Sequence, residues 1–163
     1  MKKLVLALVL VVSSMTAVKA ADVATKSWTD GIGVLPFAAL DHPNFARPEW
    51  GAGVAIDYAV NAKVSLEAEL TAFGTDSWGG NVVDRGVILG KYELLKAANN
   101  KLHVYGIAGG GYNLVNNNML FTAGLGASFD VHKNISAFLD TRPYAEFGAG
   151  QGQSTRFGIN VHF

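Results

Sequence analysis

The stretch Ser154 to Phe163 reads S-T-R-F-G-I-N-V-H-F, and its alternation decides how the rest of the chain is read. Phe157, Ile159, Val161 and Phe163 share one face of an extended strand, and Arg156, Gly158, Asn160 and His162 share the other. That is the period of two that a half-buried strand demands. One face is apolar and the other accepts charge. A strand of about nine or ten such residues, repeated along a chain of alternating segments, is the sequence pattern of a transmembrane β-barrel.

Working outward from it, eight candidate strands appear: Trp28 to Leu40, Trp50 to Val60, Lys63 to Phe73, Val83 to Leu95, Leu102 to Leu114, Met119 to Val131, Ile135 to Phe147 and Thr155 to Phe163. Each has the length that a tilted membrane strand needs. The connections alternate. Asn61-Ala62, Lys96 to Lys101 with Asn99-Asn100 at its centre, and His132-Lys133-Asn134 read as tight turns. Asp41 to Glu49, Gly74 to Val82, Val115 to Asn118 and Gly148 to Ser154 are mostly longer and rich in Gly, Asn, Pro and Ser, which is loop chemistry. Short turns on one side and longer loops on the other predict an even-stranded, all-β, antiparallel up-and-down barrel. Pro36 and Pro143 fall inside strands and each removes a ladder hydrogen bond, so a bulge or a rim position is expected at both.

The first 20 residues read differently. Met1-Lys2-Lys3 is basic, Leu4 to Val12 is an unbroken apolar run, and Val18-Lys19-Ala20 has the small-residue pattern of a cleavage site. Residues 1–20 are therefore expected to be a signal peptide, and residues 21–163 a single outer-membrane β-barrel domain. The apolar run is too short for a spanning helix, which needs roughly 20 residues. Without Lys2, Lys3 and Lys19 the thirteen basic residues become ten against thirteen acidic ones, a net charge of −3. No clustered basic surface supports nucleic-acid binding. The chain has no Cys, which excludes disulfides, thiol chemistry and Cys-based zinc sites.

Alternation alone also fits a soluble barrel of the lipocalin kind, with the apolar face inward. Two features favour the membrane. The charged face carries Gly51, Gly53, Gly109, Gly111, Gly124, Gly126 and Gly158, residues that weaken an exposed strand but give space inside a narrow barrel. The apolar face places Trp28, Tyr58, Tyr112, Phe129, Phe147, Phe157 and Phe163 near strand ends, as interfacial girdles require. The inward face then holds Asp57, Glu67, Glu69, Asp140 and Glu146 with Arg85, Lys91, Arg142 and Arg156. An unpaired buried ion costs several kcal/mol, so a connected network is expected, with Tyr105, Tyr144 and His103 as hydrogen-bonding members. The interior is then plugged. The network is read as structural, and the alternative is a gate in which exchanged ion pairs open a narrow channel.

Taken together, the basic-apolar leader, eight alternating strands, short turns opposite longer loops, ionic interior and terminal Phe163 resemble the small outer-membrane barrels of the OmpA/OmpX type in Gram-negative bacteria. The resemblance covers essentially all of residues 21–163 and is one of pattern. It implies an outer-membrane location, contact with membrane lipid and lipopolysaccharide, and recognition of Phe163 by the barrel-assembly machinery. It also implies a structural or surface-interaction role, with an unknown surface ligand. No peptidoglycan-binding domain follows the strands, so tethering to the cell wall is not implied.

Some barrels of this size modify lipid A with a His, a Ser and an acid on the outer surface. A nucleophile needs a base within roughly 3 Å and an acid to orient that base. His42 beside Pro43 reads as loop, His103 and His162 as lumen residues, and His132 as turn. Local spacing assembles no triad, although His42 and Ser154 would share neighbouring loops, and no enzyme is expected. No two histidines stand at ligand spacing and Asp22 and Asp30 are isolated, so neither metal nor cofactor is expected. Gly109-Gly110-Gly111 lacks the Lys-Ser/Thr and helix of a phosphate loop and is expected to thin the wall beside a large side chain. Trp78 with Gly79-Gly80 reads as an interfacial aromatic.

Overall fold

The computed structural model describes residues 31–44, 47–74, 83–148 and 150–163. The leader, Trp28, Asp22, Asp30 and Trp78 lie outside the described residues. Eight strands run in sequence order: β1 (Ile32–Pro43), β2 (Glu49–Asn61), β3 (Val64–Phe73), β4 (Arg85–Ala97), β5 (Leu102–Asn113), β6 (Asn118–His132), β7 (Ile135–Glu146) and β8 (Gly150–His162). Each pairs antiparallel with its neighbours, and β8 closes on β1. A walk across the ladders from Gly33 passes Asp57, Glu67, Leu89, Gly109, Thr122, Tyr144 and Gly152, and returns to β1 at Pro43. The ten-residue offset between Gly33 and Pro43 is the shear of the barrel. For eight strands it implies a tilt of about 40°, so ten residues climb roughly 25 Å along the axis, the height of an outer-membrane apolar band.

Local chemistry builds the ends. At the turn end, Asn61 Oδ1 accepts the amides of Lys63 and Val64 at 2.9 and 3.0 Å, closing the two-residue connection from β2 to β3. Between β4 and β5, Ala98, Asn99 and Asn100 all have positive φ (51°, 56° and 65°), a left-handed run in which two of three residues are the Asn that tolerates it. Three register shifts, at Ala59/Asn61, Glu93/Leu95 and Asp130/His132, all fall where an even-numbered strand enters such a turn. At the loop end, Asn113 Oδ1 accepts from Val115 and Asn116 at 3.0 and 3.2 Å.

Several sequence expectations are corrected. Neither proline makes a bulge: register is the same on both sides of Pro36 (Val34↔Val161, Phe37↔Gly158) and of Pro143 (Thr122↔Tyr144, Leu125↔Thr141). Ladder pairs on either side hold the strand while the missing donor is tolerated locally. Strand β1 runs on through Asp41, His42 and Pro43, and β8 begins at Gly150, so most of the expected loop 148–154 is strand. Gly and Gln carry no apolar rhythm, yet Asp41↔Ser154, His42↔Gln153 and Pro43↔Gly152 pair across β1 and β8. The loops are consequently short except for 74–84. Phe157 moves from strand end to mid-strand, where it meets Trp50 edge-on at 6.3 Å.

The two faces of the wall settle which side is inside. Apolar side chains such as Ile88, 67 % exposed, and Leu66, Leu125 and Leu139 point out, while the charged residues point in. Exposed aromatics gather at both ends: Tyr58, Tyr92, Phe129 and Phe163 near the turns, and Trp50, Tyr112, Phe121 and Phe147 near the loops. A soluble barrel would invert this. The inward glycines also find a reason. Each large inward aromatic has glycine directly across the ladder: Phe37 faces Gly53 and Gly158, Tyr105 faces Gly126, and Tyr144 faces Gly152. A Cβ on Gly126 would sit 2.5 Å from the Tyr105 ring, so the ring occupies the space that a side chain there would need. Gly109 is different: a Cβ there would strike the backbone carbonyl of Ile88, so it permits close strand approach and does not seat a large side chain.

Candidate functional site: the ionic interior

The inward parity of eight strands brings charges from distant parts of the sequence to one axis. Arg156 on β8, fully buried, sits at the centre. Its Nε and one terminal nitrogen donate to Asp140 on β7 at 3.0 and 2.6 Å, and the other terminal nitrogen reaches across the lumen to Glu67 and Glu69 on β3 at 2.6 and 2.7 Å. Phe37 and Phe138 place their rings 5.0 and 5.6 Å from the same guanidinium. Arg142 is ion-paired with Glu69 at 2.9 Å and lies 3.5 Å from Asp140. Lys91 on β4 pairs with Glu67, lies 3.8 Å from Asp57, and stands over the Tyr105 ring. Thr71 donates to Glu69 at 2.7 Å. Three cations thus meet four carboxylates in one cross-braced group.

A second group closes the loop end. Arg85 lies between the rings of Tyr144 and Phe73 at 4.4 and 5.0 Å and contacts Asp41 at 3.3 Å and Glu146 at 3.5 Å. Tyr144 donates to Asp41 at 2.8 Å, and Asn113 donates to Glu146 at 2.9 Å. A third group lines the turn end: His103 lies between Glu93 (Nδ1, 2.9 Å) and Asp130 (Nε2, 3.2 Å), with Lys96 3.5 Å from Glu93.

All nine lumen charges named from the sequence therefore point inward, but their contacts among the described residues fall into separate groups where one connected network was expected. The reason lies on β4. Arg85 and Lys91 are inward at opposite ends of a run whose intervening inward residues are Val87 and Leu89, and these pack with Tyr105, Ile107 and Leu120 into an apolar layer. Asp41 was missed because Asp-His-Pro looks like a loop. Its signal was parity: it continues Leu35, Phe37 and Ala39 on the inward face.

Among the described residues, the His42–Ser154 pair considered from the sequence does not meet. His42 is exposed on the outer face while Ser154 is buried on the inner face, so ladder neighbours point apart. Ser136 Oγ instead lies 3.2 Å from His162 Nε2 at the turn end. His132, the last residue of β6, is exposed. Between the central and turn-end groups, Leu35, Lys91, Tyr105, Ser128, Ser136, Phe138 and Asn160 line a cavity of about 10 Å³, space for a single water.

No protein-family model matches the chain, and no curated protein does. Solved structures resemble it. A de novo designed transmembrane β-barrel aligns over 86 % of this chain and 100 % of its own, with 19 % identity and a TM-score of 0.55. A second design, TMB2.3, aligns over 82 % and 97 % with 18 % identity and a TM-score of 0.53. The outer membrane protein OprG from Pseudomonas aeruginosa aligns over 84 % and 98 % with 11 % identity and a TM-score of 0.53. At these identities what is shared is the fold, and that fold is the closed eight-stranded antiparallel barrel of transmembrane proteins.

Proposed function

We propose that this chain is an outer-membrane barrel, exported by way of residues 1–20, whose role is structural or surface interaction and whose interior is closed to solutes. The observation that carries the reading is Arg156, a fully buried cation that ties β7 and β8 to β3 across the lumen. Opening a path past it means separating a buried guanidinium from three carboxylates, and breaking buried pairs of this kind costs several kcal/mol. The girdles at both ends of the wall favour a lipid environment, with lipid and lipopolysaccharide as neighbours on the two leaflets. Phe163, exposed at the end of the chain, is the residue offered to the assembly machinery. The role calls for no enzyme's site and leaves the loops as the surface that a ligand meets.

Two measurements test it. Detergent-extracted protein from the outer-membrane fraction should change mobility on a denaturing gel when boiled, and a water-soluble protein without a shift overturns the membrane reading. In planar bilayers the wild-type protein should give no stable conductance steps. Regular single-channel currents would replace the closed barrel with the narrow channel.

A further inference from the structure

Among the described residues the outer wall carries one polar patch, on β1, β7 and β8. On β2, β3, β5 and β6 every residue that faces outward within the barrel wall is glycine, apolar or aromatic. On β7 and β8 the outward face carries Thr141, Gln151, Gln153 and Thr155, and the outward His42 of β1 pairs across the ladder with Gln153. Gln153 Nε2 donates to Thr141 Oγ1 at 2.8 Å, and the two Thr hydroxyls lie 3.2 Å apart. Thr141 stands six residues from Ile135, where β7 starts, and six from Phe147 at the loop rim. At a tilt of about 40° that is roughly 15 Å from either end, the middle of the apolar band. Its apolar neighbours are Leu139 along the strand and Leu125 across the ladder.

We infer that the β7–β8 wall is an interface on which a second copy of this chain docks within the membrane. At the depth of Thr141 lipid offers only acyl chains, which neither donate nor accept hydrogen bonds, while Gln153, three residues from the start of β8, lies nearer the loop rim. Two hydroxyls and a primary amide have more donors and acceptors than their mutual bonds use. No outward residue of β7 or β8 is charged, so an anionic headgroup finds no cation. Thr and Gln each both donate and accept, so the patch is complementary to itself, as a two-fold contact requires. Pro143, exposed on the same face and lacking an N–H, and Ala145 keep the wall flat for close approach. Polar groups of this kind associate membrane segments with modest energies each.

The inference rests on the membrane-spanning reading, which the boiling shift reports separately. The chain has no Cys, so single cysteines report proximity cleanly. Full-length protein carrying Gln153→Cys, reconstituted in phosphatidylcholine vesicles and oxidised, should cross-link to a dimer, whereas Leu66→Cys on the opposite wall should stay monomeric. In a lipid-dilution series read by energy transfer, the Thr141→Leu/Gln153→Leu protein, which still shows the boiling shift, should dissociate at about tenfold lower dilution than wild type. Equal cross-linking at both positions overturns the inference. So does a wild-type protein that shifts on boiling yet stays monomeric at every dilution, with or without a retained lipid.

Discussion

The centre and the loop end of the lumen solve the same problem with different means. Around Arg156 three cations share four carboxylates, none more than 4 % exposed, and the braces cross the barrel from β8 to β3. Around Arg85 one cation serves Asp41 and Glu146 at longer distances, and two aromatic rings, a phenol and an amide do the rest. Burial accounts for the contrast. Where no water arrives, each charge needs several close opposite partners. Near the rim the ionic side chains are 6–9 % exposed against at most 4 % at the centre, and a looser arrangement is sufficient.

That contrast is broken or sharpened by substitution, with stability read from urea titration of protein folded into vesicles. Arg156→Ala leaves Glu67, Glu69 and Asp140 facing one another and should cost the most, about 4 kcal/mol or outright failure to fold. Arg142→Ala removes one partner of Glu69 while Arg156 stays in place, so about 3 kcal/mol is expected. Arg85→Ala at the slightly more exposed mouth should cost about 2 kcal/mol, less than either central change. A mouth variant as damaging as Arg156→Ala would mean that hydration does not separate the two regions. Tyr144→Phe keeps the ring over Arg85 and loses only the 2.8 Å bond to Asp41, so about 1 kcal/mol is expected. Lys133→Ala in the exposed β6–β7 turn is the zero point, within about 0.5 kcal/mol. If Lys133→Ala matched Arg142→Ala, the inner and outer faces would be exchanged.

Legibility followed rhythm. Strand β3, with Leu66, Ala68 and Leu70 outward and Ser65, Glu67, Glu69 and Thr71 inward, was readable residue by residue, because strict alternation leaves one arrangement. The first half of β8 was not. Its Gly-Gln-Gly-Gln-Ser run has no apolar period, and it is strand because β1 and β7 hold it on both sides. The same blindness hid Asp41, whose Pro43 neighbour reads as punctuation although the ladder continues through it.

The sequence by itself determined the number of strands, which residues of a strand share a face, and that the nine lumen ions stand on the same one. All three depend only on a period of two, which is a property of consecutive residues. Which ion meets which was decided by the tertiary structure. The ten-residue shear lays Arg156 against Asp140 across one ladder and against Glu67 and Glu69 across the lumen. Val87 and Leu89 part the central group from the mouth. Partner choice depends on register and closure, and those exist only once eight strands have met.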